Sequence, residues 1–141
     1  MKLSDFQKWV RQIPPTYDPK DITQRSRILE QMGLDSDNIY QELEMDSPFV
    51  DTHLDVSYGG TPVNLHSHDF YELLYCTNTC GVEYLVGAER YRLQKGDVII
   101  VPPGISHRPL LPAVMEEPYR RIVLWINRTF LAQFAEQGVD L

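Results

Sequence analysis

Cysteine is nearly missing from this chain. Cys76 and Cys80 are the only two among 141 residues, too few for the disulfide framework that holds small secreted domains together. A Cys-x-x-x-Cys pair could bind a metal or cross-link, but in an intracellular protein it reads as two reduced thiols at or near a strand end. Long apolar runs are missing as well. No stretch approaches the roughly 20 residues of a membrane span, and the segment from Met1 to Trp9 has no secretory apolar core. A cytoplasmic protein with no membrane partner is expected. Positive charge is scarce: 13 Lys and Arg stand against 20 Asp and Glu, a net charge of −7, and Arg120-Arg121 is the longest basic run. Such a chain carries no electrostatic footprint for nucleic acid. It also lacks internal repeats and low-complexity linkers.

What is present suffices for one globular domain, with 43% apolar and 11% aromatic residues. Hydrophobic period divides it into three parts. Residues 1–39 read as a helical extension. Ser4 can cap a helix with Gln7 at the reciprocal position, Phe6, Trp9, Val10 and Ile13 follow helical spacing, and Pro14-Pro15 stops it. A second helix is expected over 18–33, through Ile22, Ile28, Leu29 and Met32 to Gly33. Residues 40–126 change to period 2. Along 50–58, Val50, Thr52, Leu54, Val56 and Tyr58 share one face and Asp51, His53, Asp55 and Ser57 the other, the pattern of a sheet covered on one side. Further strands are expected at 63–68, 72–77, 82–86, 90–93, 98–101 and 119–126. Breaks fall at 78–81, 87–88 and 95–97, with a sharp bend at Pro102-Pro103-Gly104. Many short strands with such punctuation suggest a sandwich or barrel. Residues 127–141 return to helix, with Asn127 as cap and Phe130, Leu131 and Phe134 as an apolar stripe.

Two short segments carry the chemistry. The first runs from Gly60 through His66 and His68 to Glu72, the second from Gly96 to His107. Side chains two apart on an extended strand leave the same face, so the imidazoles of His66 and His68 can converge on one ion. Asp69, Phe70 and Tyr71 give the chain room to bend before Glu72 opens the next strand on the same cavity. Three imidazoles and one carboxylate, from His66, His68, Glu72 and His107, suit a divalent transition metal (zinc, iron, nickel or manganese) better than calcium or magnesium. The same histidines could instead line a pocket or bond to one another without metal, and both readings stay open. His53, on the polar face of its strand, reads as a solvated histidine. Tyr58, Tyr75, Tyr84 and Trp125 are candidates to line an effector cavity for a sugar ring or another cyclic compound, the alternative being ordinary core. Arg90, Arg92, Arg120 and Arg121 read as a solvated strand face, or as partners for an acidic effector.

The two glycine-led segments resemble the two halves of the cupin signature. More widely, residues 58–134 are similar to the cupin sensory domain at the N-terminus of AraC-type transcription regulators. The likeness is carried by His66-Ser-His68-Asp-Phe-Tyr-Glu72-Leu-Leu-Tyr75, by the hairpin from Tyr84 to Leu93, and by the run from Lys95 through Pro102-Pro103-Gly104 to His107-Arg108-Pro109. Leu111 stands where the second motif often has Asn, and Gly81 lies two residues later than usual, but no ligand is lost. The resemblance implies a mainly β fold, a cupin (double-stranded β-helix or jelly-roll) barrel with N-terminal helices and a C-terminal helix. It implies a small-molecule effector, such as a sugar or other small polar metabolite, and a homodimer formed through the helix of Phe130, Leu131 and Phe134. It also implies a separate helix-turn-helix domain that contacts DNA, expected beyond residue 141. A sensor has no catalytic residue. The runner-up is a small metal-dependent cupin enzyme of dioxygenase or sugar-isomerase type, with Glu83 and Glu89 as acid or base candidates. A third reading is a barrel without chemistry.

Overall fold

Two antiparallel sheets face one another in the computed structural model, which describes residues 1–11, 24, 27, 40, 43–60 and 63–138. The chain enters with helix α1 (Leu3–Val10). Strands β1 (Val50–Ser57), β2 (Phe70–Cys76), β3 (Glu83–Val86), β4 (Glu89–Arg92), β5 (Val98–Val101), β6 (His107–Leu110) and β7 (Tyr119–Asn127) follow, and helix α2 (Arg128–Glu136) comes last. One sheet has the order β1-β7-β2-β5 and the other β4-β3-β6. Apolar side chains from both meet between them. Val82, Val101 and Val123 are at most 1% exposed, each worth roughly 1.5–3 kcal/mol of burial. The fold is mainly β with short helices at its ends, as expected. No helix among the described residues is long and apolar enough to cross a membrane.

The strand positions follow the residue types closely. The β-branched run Val98–Val101 forms β5, and Gly87-Ala88 turns β3 into β4, with Gly87 at φ 58° as a tight hairpin turn requires. Two expectations need correction. Residues 63–68 do not form a ladder strand; His66 makes a single antiparallel bridge to His107. The second motif, expected only as a bend ending at His107, continues into β6, which pairs with β3 from His107 to Leu110. Pro109 is tolerated there because β6 lies at the edge of its sheet.

β1 is correct in place and alternation but turned the other way from a simple core strand. Leu54 is 77% exposed and Val50 44%, while Ser57 is buried and Asp51, His53 and Asp55 are half-buried. A polar face can turn inward when the interior supplies its partners. Here Arg121 of β7, buried among tyrosines, donates to Asp55 Oδ2 (2.8 Å) and to Ser57 Oγ (2.8 Å).

At the N-terminus, Ser4 lies within α1 and is not its cap. The carboxylate of Asp46 serves the first turn from 42 residues away, accepting from Ser4 N at 2.8 Å and from Ser4 Oγ at 2.9 Å. Backbone bonds between Leu3 N and Glu44 O (2.9 Å) and between Glu44 N and Met1 O (2.8 Å) complete the anchor. Leu3 is thereby buried and Phe6 packs on the core. Of the second helix expected over 18–33, Gln24 and Arg27 are helical and the rest lies outside the described residues. At the other end Asn127 caps α2 as expected, its Oδ1 accepting from Thr129 N and Phe130 N. Both cysteines are free thiols, with Cys76 buried and its Sγ donating to Asn78 O.

Because the α1 cap is non-local, Asp46→Ala should loosen the docked helix and not merely fray it. The expected cost is about 1 kcal/mol in urea unfolding, with faster tryptic cleavage at Lys8 and Arg11. An unchanged cleavage rate would show that the backbone anchor alone suffices.

Candidate functional site

His66 and His107 are brought together by their own backbones. His107 N donates to His66 O (2.9 Å) and His66 N to His107 O (3.2 Å), while Gly104 N donates to His68 O (2.9 Å). The rings follow. Centroids of His66 and His107 lie 4.3 Å apart, those of His68 and His107 4.8 Å. His68 is stacked on Phe70 at 4.0 Å, and His66 is stacked against Tyr40 at 5.2 Å. Each of the three histidines offers a ring nitrogen within 4.8 Å of the others. Glu72, on the inward face of β2, places Oε2 2.8 Å from His107 Nε2 and 3.3 Å from His68 Nε2. Its other oxygen, Oε1, accepts from Trp125 Nε1 at 2.9 Å.

Proton positions decide what this cluster can do. Nδ1 of His66 faces Asn64 O at 2.8 Å, Nδ1 of His107 faces Ile105 O at 2.8 Å, and Nδ1 of His68 faces Phe70 O at 3.3 Å. A carbonyl only accepts, so each Nδ1 carries a hydrogen, which leaves Nε2 as the ring atom that can meet another group. Burial pushes the His66 ring down to about 4, outweighing the Asn64 bond that favours its charged form, so His66 is neutral at pH 7. Burial alone would push the Glu72 carboxyl up. Bonding to His107 and His68, with their charge, outweighs this and holds it well below the usual carboxylate range. Glu72 Oε2 thus lies between Nε2 of His107 and Nε2 of His68, all three atoms buried. A proton on a ring or a metal ion would bridge these atoms. The three imidazoles, with Nδ1 tied to backbone carbonyls, are a donor set that fits a divalent transition metal.

His66 and Glu72 of the cluster, but not His68 or His107, line a cavity of about 390 Å³, a volume within the range of small-molecule sites. Leu74, Val123, Tyr84 and Trp125 form part of its wall, and Leu3, Phe6, Tyr40 and Leu43 line it from the N-terminal segment. Asp55 and Arg121 lie on it too. Burial pushes the Arg121 guanidinium down, but Asp55 and then the neighbouring tyrosines outweigh it and hold its pKa above the ordinary value. Burial, assisted by Asp55, pushes the Tyr40 hydroxyl up to about 12.

Of the four aromatic residues expected to line a cavity, Tyr84 and Trp125 do. Tyr58 is 62% exposed, and Tyr75 points outward from β2 and is 42% exposed; period 2 alone does not tell which face of a strand is inner. His53 is not solvated. It packs edge-on against Trp125 (5.1 Å), lines the cavity, and has its pKa lowered mainly by burial. Among the arginines, Arg121 is buried whereas Arg90, Arg92 and Arg120 are exposed. Glu83 pairs with Arg90 at 3.3 Å, and Glu89 is exposed in the hairpin. Arg121, named from the sequence as a possible partner for an acidic effector, lies on the cavity, whereas Tyr40 and Asp55 are cavity residues that sequence reasoning did not single out. The strict polar alternation of β1 was the one signal for Asp55; Tyr40 had none.

A β-sandwich with three inward histidines shared between two short motifs defines a cupin-type barrel. Solved structures agree. The chain is similar to KdgF from Halomonas sp. (20% identity, TM-score 0.50, covering 58% of this chain and 73% of that one). It is similar to the DMSP lyase DddQ from Ruegeria pomeroyi DSS-3 (23%, 0.51, covering 58% and 40%). A Cupin 2 conserved barrel domain protein from Salinispora arenicola CNS-205 also matches (22%, 0.49, covering 65% and 74%). At these identities the likeness is one of fold. No curated protein matches the sequence. The family model of the AraC-like ligand binding domain matches residues 54–135, more than half of the chain, and the chain belongs to that family.

Neutral buried histidines make stability depend on pH. In the unfolded chain His53 and His66 take up protons near the ordinary value of about 6.5, whereas the folded protein resists protonation of both. The unfolded state therefore binds more protons in that window, and stability, complete above about 6.5, should decline as pH falls toward about 4. Urea midpoints at about pH 7 and about pH 4.5 measure this. His53→Gln should make the decline shallower, and a midpoint that does not move with pH would contradict the burial of neutral rings.

Proposed function

We propose that this domain senses a small polar effector held in the cavity between the histidine cluster and the Asp55–Arg121 pair. A divalent transition metal would be held there by His66, His68, Glu72 and His107. One observation carries the reading: in a chain of the AraC-like ligand-binding family, a cavity of small-molecule size is lined by His66 and Glu72 of the histidine cluster and by the Asp55–Arg121 pair. When bound, the metal would supply an open coordination position for an effector hydroxyl or carboxylate. At the other pole Asp55 already matches the charge of Arg121 (2.8 Å). That pole therefore suits neutral hydroxyls, which both donate and accept, more than a second anionic group. Tyr84 and Trp125 offer ring faces to a sugar or another cyclic metabolite.

The output runs through α2. Its first residue, Arg128, donates to Asp69 Oδ1 at 2.7 Å, directly beside His68, and Asn127 pairs with Phe70, on which His68 is stacked. A shift of the His68 ring on effector binding therefore reaches the start of α2 through two contacts. Phe130, Leu131 and Phe134 would carry it to a partner subunit of a homodimer, and from there to a helix-turn-helix DNA-binding domain beyond residue 141, in a cytoplasmic transcription regulator.

A metal-dependent cupin enzyme is the second reading, and His53 is the observation that favours it. Kept neutral by burial and lining the cavity, it could act as the base that Glu83 and Glu89 are too exposed to provide.

Titration with zinc, manganese, nickel and ferrous iron, followed by calorimetry and elemental analysis, should give about one ion per chain. His68→Ala should weaken binding by about a hundredfold or more while leaving the fold intact. Absence of uptake by the wild type would leave the histidines as pocket walls. A screen of sugars and polyols by thermal shift should then find ligands that stabilise the wild type more than Arg121→Ala. Turnover of such a ligand, abolished by His53→Gln, would favour the enzyme.

A further inference from the structure

Among the described lysines and arginines only Arg108 and Arg121 are not exposed. Arg121 has its counter-charge in Asp55, as the exposed Arg90 has Glu83 and Arg128 has Asp69. Arg108 has none among the described residues, and its Nε is buried without an acceptor. A half-buried guanidinium gives up part of its hydration and needs an acceptor in return.

Its surroundings form a second cavity, a groove of about 610 Å³. Tyr84 lines the cavity of the histidine cluster, whereas its neighbour Glu83 lines the groove, as do Arg108 and Leu110 on either side of the buried Pro109. Strand alternation therefore puts the groove on the outer side of the three-stranded sheet. Pro109 and Val63 reach both spaces and form the wall between them. Register sets Arg108 and Arg90 opposite the two sides of Leu85, on one face. Their backbones are two strand spacings apart, about 10 Å, a span that two arginine side chains can close on one oxyanion. Arg90 pairs with Glu83 at 3.3 Å, but both side chains are well exposed, so that bond is weak and readily exchanged for a better acceptor. Leu110, Leu111 and Pro112 add an apolar wall.

We propose that this groove is a second ligand site, for a carboxylate or phosphate ester carried on a small apolar body. Arg108 binds the oxyanion, Arg90 joins it from the far side of Leu85, and Leu110, Leu111 and Pro112 cover the body. Charge selects an anion. The chain is acidic as a whole, at −7, so two guanidiniums against one carboxylate make a local reversal that draws anions and repels cations. Volume selects more than a bare ion, since the groove is of small-molecule size. None of the histidine cluster, Asp55 or Arg121 lines it. The site therefore goes beyond the sensing reading and holds whether or not the inner cavity is filled.

Nitrogen-15 NMR of the 141-residue chain, dialysed free of metal, with phenyl phosphate and with benzoate tests it. Each probe carries an oxyanion on an apolar ring, and the tighter of the two tells which oxyanion the groove prefers. Titration should shift the Arg108 Nε–H resonance and the Gly81 and Leu110 amides, with a Kd on the order of 1 mM or tighter. Inorganic phosphate should bind at least about tenfold more weakly, since it leaves the apolar wall unused. Arg108→Gln should weaken phenyl phosphate at least about tenfold without lowering the urea midpoint, because no protein partner is lost. The wild-type Nε–H resonance supplies the reading should that variant not fold. An Arg108 resonance that stays in place up to about 20 mM of both probes overturns the proposal. So does inorganic phosphate that binds as tightly as phenyl phosphate, or a folded Arg108→Gln that binds like the wild type. Shifts confined to Arg121 and Tyr84 overturn it as well, by placing the anion in the inner cavity, and they leave the sensing reading standing.

Discussion

The reciprocal pair of backbone hydrogen bonds between His66 and His107 is the constraint on which the site depends. It joins two segments 41 residues apart with geometry that leaves little freedom, because each residue both donates and accepts. The two rings then repeat one local device. Each Nδ1 meets the carbonyl two residues earlier, Asn64 O for His66 and Ile105 O for His107, both at 2.8 Å. Ring orientation and tautomer are therefore set by the backbone before any ligand arrives, which is what pre-organisation means for a binding site. Gly104, at φ 79°, allows the turn that brings the second motif back and lets its N–H reach His68 O.

From this arrangement comes an interior in which several polar atoms are crowded together and buried. Three imidazole rings and an ionised carboxylate share a space almost without solvent; His107 is fully buried and Glu72 is 7% exposed. Buried polar atoms without partners typically cost a few kcal/mol each. The histidine end of the cavity is thus polarised, whereas the Asp55–Arg121 end is balanced. Under the proposed reading, one end would meet an electron-pair donor through a metal, and the other a group that both gives and takes hydrogen bonds.

The same interior shapes the outside of the molecule. Since β1 sends its polar residues inward to meet Arg121, the period-2 rule still holds but with its usual sense reversed. The exposure of Leu54 and the burial of Asp55's partner are two sides of one packing decision. Hydrophobic patterning located the strand and could not tell which face was the core. That choice depended on a guanidinium 66 residues later in the chain, and no local window contains it.

Much of the site was legible before any coordinates. The four histidine-motif residues, the turns at Gly87 and Gly104, the cap at Asn127 and most strands follow from local chemistry: extended spacing, positive φ, and side-chain bonds that span only two or three residues. Asp46 capping α1, Tyr40 stacking on His66, and Arg121 holding Asp55 and Ser57 were not legible, because each joins distant parts of the chain through a contact that only folding creates. By itself, then, the sequence determined which groups could meet a cation and where the strands lie. Only the tertiary structure decided which face of β1 turns inward and which stays exposed, since facing is settled by long-range pairing and burial, not by local preference.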